Sequence, residues 1–172
     1  MKLKAMILLL SLCSSFAVNA ETERDNLVKL YKESNLKANI VMIGDSITFG
    51  GIWPDLLSNN AVANRGIGGD TSAQILARMD SILQLKPKKA FLMFGINDFG
   101  QGVSVDQTFS NYKKIISILN NAHIKIYISS TLLCNPDGGC VTGEMINQKI
   151  NRLNNDLQGF AKTNNSTYID IN

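Results

Sequence analysis

The sequence predicts an α/β fold built on a parallel sheet covered by helices. Three observations carry this. Short apolar runs alternate with amphipathic stretches of helical period along the chain. One run, residues 90–94 in "KAFLMFG", is apolar without a break, as suits a strand covered on both faces. The polar, glycine-bearing motifs all follow predicted strands, where open α/β sheets place their sites.

The elements follow in order. Residues 23–36 carry Leu27, Leu30 and Tyr31 at helical spacing, and residues 39–43 read as a buried strand. A short second strand is expected around Ala61–Asn64. Residues 71–85 predict one helix with Ile75, Met79, Ile82 and Leu83 inward. Thr71 and Gln74 are spaced as a capping box at its start, and Lys86-Pro87 ends it. After the strand at 90–94, Ser104 and Gln107 repeat the capping-box spacing before a helix carrying Phe109, Tyr112, Ile115, Ile116 and Leu119. "IKIYISS" (124–130) is a fourth strand. A helix from about Glu144 places Ile146, Ile150, Leu153, Leu157 and Phe160 on one stripe. "STYIDIN" (166–172) is a fifth strand. The expected architecture is a flavodoxin-like three-layer α/β/α domain with a five-stranded parallel sheet.

The first 20 residues predict a secretory signal peptide. Lys2 and Lys4 precede the apolar run Ala5–Leu12, and Val18-Asn19-Ala20 supplies small residues where a signal peptidase cuts. Cleavage after Ala20 would leave the domain at 21–172 and a secreted or periplasmic location. The apolar run is too short to span a bilayer, so no integral membrane span is expected after cleavage. Loss of Lys2 and Lys4 leaves 15 basic residues against 14 acidic ones. With no basic stripe, nucleic acid is not an expected partner. Cys134 and Cys140 flank "NPDGG", a turn that would let the chain double back, and are a candidate disulfide in an oxidising compartment. No second Cys pair or nearby His completes a zinc site.

Three segments could carry chemistry. In "IVMIGDSITFGG" (40–51), Ser46 sits where a strand turns into the next element, a position that exposes a hydroxyl; alone, it reads equally as a helix cap. "NRGIGGDT" (64–71) packs three glycines before a helix start, where free N–H groups favour an anion. No Walker lysine follows it. "GIND" (95–98) puts Asn97 after a buried strand, where its amide could donate to an oxyanion or simply form a turn.

Taken together, "GDSIT", "NRGIGGDT" and "GIND" resemble, in order and spacing, the first three blocks of the SGNH, or GDSL-type, esterase and acylhydrolase family. The style of the second and third blocks is most similar to its acetylhydrolase-like branch. The resemblance implies Ser46 as nucleophile and oxyanion donor, Gly69 as a second backbone donor and Asn97 as the side-chain donor. Asp45 and Asp98 would organise the loops behind them. It implies a small-molecule ester substrate, no metal and no organic cofactor. Phe49 and Trp53, just after the nucleophile, are candidates to line an acyl pocket, or to begin a helix packed on the core.

The family's remaining block, D-x-x-H, supplies the general base, and no such tetrad occurs here. The single histidine, His123, precedes a strand and is expected at the sheet edge opposite Ser46. A five-residue strand covers roughly 17 Å, beyond hydrogen-bond reach. Asp170 lies at the correct edge with no histidine after it. The expectation is a C-terminally incomplete domain lacking its last helix, with an apolar sheet face uncovered and ester hydrolysis impaired. A noncatalytic ester- or glycan-binding relative is the alternative, and a nucleotide or flavin binder of the same architecture is a third. Oligomeric state is not encoded in any feature of the sequence.

Overall fold

A computed structural model describes residues 23–135 and 143–172. The predicted signal segment and Cys140 lie outside the described residues. Residues 23–33 form helix α1, which belongs to an N-terminal unit of its own. It carries an exposed Lys29–Glu33 pair one turn apart. No described helix is long and apolar enough to cross a membrane.

The unit from Asn35 to Asn172 is built on five parallel strands. They are β1 (Ile40–Gly44), β2 (Val62–Gly66), β3 (Lys89–Met93), β4 (Lys125–Ser129) and β5 (Ser166–Ile169), in the spatial order β2-β1-β3-β4-β5. The chain steps outward from β1 to β2, then returns past β1 to β3, so the strand order reverses beside β1. In register, Gly44 stands level with Gly66 on one side and Met93 on the other. The segments that follow these residues therefore converge at one carboxyl edge, at the reversal point where open α/β sheets form crevices.

One face of the sheet is sealed. Alternate strand residues Val41, Ile43, Ala90, Leu92, Ile126 and Ile128 are fully buried. They share a core with α4 (Ser72–Leu76), α5 (Met79–Leu83), α7 (Val105–Asn121) and α8 (Gly143–Ala161). The predicted stripes supply it: Ile75, Met79 and Ile82, then Tyr112, Ile115, Ile116 and Leu119, then Ile150, Leu153 and Leu157. On the other face Met42, Phe91, Met93 and Tyr127 stay half-buried, with Phe91 and Tyr127 stacked at 4.5 Å.

The structure differs from the sequence expectations in four places. The single helix expected over 71–85 is two, broken at Arg78 (φ −115°, ψ 18°). There the backbone N–H bonds to Ile75 O, the Arg78 carbonyl accepts from Ser81, and the side chain turns into the core. Thr71 and Gln74 do form a reciprocal capping box. At α7 only half of one exists: Ser104 Oγ accepts from Gln107 N, while the Gln107 amide turns to Asn111 instead. The "GIND" segment is not a plain turn, since Asn97 lies in a short helix, α6 (Ile96–Gly100). β5 ends at Ile169, because side chains replace the ladder beyond it. Ser130 Oγ accepts from Ile171 N, and the Asn172 amide bonds Thr131 O and Leu133 N.

Candidate functional site

Ser46 opens α2 (Ser46–Phe49), directly after β1, and is exposed. The turn is fastened from three sides. Asp45, buried beneath it, caps the helix by accepting from Ile47 N at 3.0 Å. Asn64 on β2 reaches across with its amide nitrogen to the carbonyls of Thr48, Phe49 and Gly51 at 3.0–3.2 Å, while its oxygen accepts from Gly66 N. Gly66 lets α2 approach, since a Cβ there would sit 2.3 Å from Phe49 N. Trp53, the first residue of α3 (Trp53–Leu56), donates its indole N–H to Thr48 O at 2.7 Å.

The second segment rises beside the serine. A Cβ on Gly68 would stand 4.0 Å from Ser46 Cβ. Gly69 follows with φ +77°, a left-handed conformation that favours glycine. Asp70 then turns inward and pairs with the fully buried Arg78, Nε to Oδ2 at 2.7 Å. The same guanidinium donates from Nη2 to Gly44 O at 3.2 Å. One buried cation therefore ties the glycine turn to the end of β1.

The third segment is joined to the second, and to Ser72 directly after it, by three bonds. Asn97 Nδ2 donates to Asp70 O at 3.1 Å. Buried Asp98 accepts from the Ser72 N–H at 2.8 Å and its hydroxyl at 2.5 Å, with Thr108 Oγ1 at 3.2 Å. Asn111 completes this knot by donating to Ser72 Oγ. Among the described residues, neither the Ser46 N–H nor the Gly69 N–H donates a hydrogen bond within the protein. Two backbone donors and a carboxamide with a second hydrogen thus stand at one edge.

Three carboxylates, Asp45, Asp70 and Asp98, lie buried below this edge. The Asp45 carboxyl is pushed above the usual carboxylate range, mainly by burial and further by the charges of Asp70 and Asp98; the Ile47 N–H opposes the rise. Groups of three or more metal-ligating side chains are absent among the described residues.

The remaining candidates fall elsewhere. Trp53 is half-buried in an apolar groove on the sheet, whereas Phe49 is 48% exposed and outside that groove's lining. α3 buries none of its residues. Cys134 is disulfide-bonded and its backbone is held by Asn147; Cys140 is not among the described residues. His123 is exposed, with φ 58°, two residues before β4. Ile40, Lys89 and Lys125 share a register row. His123 therefore lies at the amino edge, at least a strand length of roughly 17 Å from Ser46. Asn64 and Arg78 are the residues that sequence reasoning passed over. Arg78 carried a signal: a charge beside Met79 on a helix face otherwise apolar.

This is a three-layer α/β fold that presents an exposed serine and free donors at the switch point of its sheet. The chain belongs to the GDSL-like lipase/acylhydrolase family, which matches residues 42–172. It is similar to an N-acylneuraminate cytidylyltransferase of Streptococcus agalactiae, 30% identical over 87% of this chain and 35% of that protein. It is also similar to thioesterase 1/protease 1/lysophospholipase L1 of Escherichia coli, 32% identical over 49% of this chain and 46% of that one. The chain thus spans about a third to a half of these relatives. Among solved structures, a GDSL-like lipase from Bacteroides thetaiotaomicron superposes with a TM-score of 0.69 at 28% identity, covering 88% of this chain and 76% of the other. A Streptococcus pneumoniae protein with a provisional assignment as a platelet activating factor gives 0.78 at 25%, covering 95% and 80%.

Proposed function

We propose that this chain is a secreted serine ester hydrolase of the acetylhydrolase-like branch, acting on acyl or acetyl esters through an acyl-serine. The observation that carries the reading is the convergence of exposed Ser46 with the unengaged N–H groups of Ser46 and Gly69 and the Asn97 amide. Ser46 Oγ attacks the ester carbonyl, and the carbonyl oxygen takes up negative charge facing these donors. Collapse breaks the ester C–O bond, releases the alcohol and leaves Ser46 acylated. Water then cleaves the acyl-serine.

The attack also requires a proton acceptor for Ser46 Oγ. The only histidine of the 172 residues, His123, is at the other edge. As this chain, the protein keeps at most the ~10³–10⁴-fold acceleration over water that an oxyanion hole and binding supply without a triad. The same observation favours a second reading, a noncatalytic relative that binds esters or glycans. Hydrolysis of p-nitrophenyl acetate separates them. A slow rate lost in Ser46→Ala supports the hydrolase, and a rate identical in the two proteins supports the binder. A fast rate lost in Ser46→Ala would show that a base is present after all.

A further inference from the structure

All five strands of this parallel sheet begin at one edge, opposite Ser46, and the short segments that lead into them gather there. These segments carry six exposed lysines: Lys37 before β1, Lys86, Lys88 and Lys89 around the start of β3, Lys125 at the start of β4 and Lys162 before β5. Backbone bonds hold the segments side by side. The N–H groups of Lys88 and Lys89 donate to Asn39 O at 2.9 and 3.1 Å, and Lys125 N donates to Lys88 O at 3.0 Å. Residues 35–39, 59–61, 84–89, 121–125 and 162–166 contain no Asp or Glu. Among the described residues, none of the six lysines is in an ion pair. Asp45, Asp70, Asp98 and Asp170 all follow strands, at the other edge. A chain of formal net charge +3 is thus strongly segregated. No stripe shows along the sequence because the lysines come from four separate segments.

Part of this charge has an internal use. Lys162 directly follows α8, close to the last carbonyls of that helix, and Lys37 Nζ donates to Gln84 O at 2.8 Å. The pair on the strands is different. Lys89 and Lys125 are register partners on adjacent strands about 4.8 Å apart, and like charges directly opposite destabilise a sheet. Lys125 Nζ leans to the Tyr127 ring at 5.3 Å, but no described carboxylate pairs with either lysine.

We propose that this edge is a docking surface for the headgroups of an anionic phospholipid bilayer, bound from the aqueous side by charge. Three features commit it to that partner rather than to a nucleic acid. Every exposed cation of the edge is lysine, a hydrated point charge, and none is the arginine fork that grips a single phosphate. The five segments contain no Phe, Tyr or Trp on which a base could stack. Leu36, 48% exposed beside Lys37, supplies an apolar contact for the boundary between headgroups and acyl chains. The inference is independent of the role proposed for Ser46. Docking in this way leaves the carboxyl edge, roughly 17 Å or more away, turned to the aqueous phase.

The test is co-sedimentation of the full chain with vesicles of phosphatidylcholine, alone or with about 30% phosphatidylglycerol, at about 0.1 M salt. The ratio of the two partition coefficients isolates the electrostatic part, because apolar contacts act on both vesicles. A lysine at an anionic surface contributes about fivefold. Lys88→Gln with Lys89→Gln should therefore lower the ratio about 25-fold, and about 0.5 M salt should remove most of the parent's preference. Lys113→Gln with Lys149→Gln removes the same charge from α7 and α8, about 12 Å or more back from the helix ends at this edge. That variant should change the ratio by less than about twofold. A ratio near one for the parent protein, or equal losses in the two double variants, overturns the proposal. So does a mixed-sequence DNA strand that binds more tightly than the anionic vesicles at the same salt and is lost in the Lys88 and Lys89 variant, which would assign the edge to nucleic acid.

Discussion

The carboxyl edge of the sheet is built to two standards. Around β1, β2 and β3, the loops are tied to one another by polar bonds: buried ones from Arg78 to Asp70 and Gly44 and from Ser72 to Asp98, and part-buried ones from Asn64 to the end of α2. Around β5, the corresponding segment is half-exposed, ends its ladder at Ile169 and is held by the exposed Asn172. The first region carries the exposed Ser46 and the N–H groups proposed as oxyanion donors, and in the family resemblance the second is where the base belongs. If Ser46 is the nucleophile, its placement and its deprotonation are separate structural problems, because the bonds that fix its turn come from β2, β3 and the segments after them and not from the β5 side.

The contrast is breakable by substitution. The largest effect is expected at Arg78. Arg78→Met leaves Asp70 buried without its cation and should cost about 3–5 kcal/mol in urea unfolding; a loss below about 1 kcal/mol would dissolve the distinction between the two regions. Asn64→Ala strands three carbonyls of the turn that follows Ser46 and should cost about 1–3 kcal/mol. On the β5 side, Asn172→Ala removes two bonds that water can replace, and should cost no more than about 1 kcal/mol. Ser46→Ala should change stability by about 0.5 kcal/mol or less, because the side chain is exposed.

A pH experiment sharpens the same contrast. Burial raises the Asp45 carboxyl above its ordinary 3.8. Between 3.8 and that raised value the folded chain holds a proton that the unfolded chain has released, so this group's contribution to stability falls as pH rises through the window. Asp45→Asn keeps an acceptor for Ile47 N and removes the ionisation. Its stability relative to the parent protein should improve as pH rises through the window, and the advantage should vanish below pH 3.8. An advantage independent of pH would mean that Asp45 is not held in this way.

The fold was legible in the sequence because burial follows period. The stripe from Ile146 through Leu157 is a local pattern and packed as expected; the unbroken run of β3, expected to be covered on both faces, is sealed on one, with Phe91 and Met93 half-buried on the other. Ser46, Gly69 and Asn97 could be marked because each ends a strand in a polar, glycine-rich stretch. What fastens them together could not. Asn64 bonds residues 13 to 16 positions away and Asp98 bonds Ser72 across 26, so neither partner is visible until the strands are in register. The break at Arg78 was hidden for the same reason: its side chain leaves the helix pattern to reach Gly44, 34 residues earlier. The groove around Trp53 depends on β5 lying beyond β4, which only the sheet order reveals.

The central claim is the proposed one: Ser46 as nucleophile and its oxyanion donors stand together, while His123, the one histidine of the 172 residues, lies at the other edge of the sheet. Added imidazole can stand in for a base at the Ser46 edge, so the direct measurement is p-nitrophenyl acetate hydrolysis against imidazole concentration, with Ser46→Ala as the blank. The account predicts a rate near the blank without imidazole and a growing excess over the blank as imidazole is added. Rates that coincide with the blank at every concentration would contradict it, as would a large Ser46-dependent rate with no imidazole present.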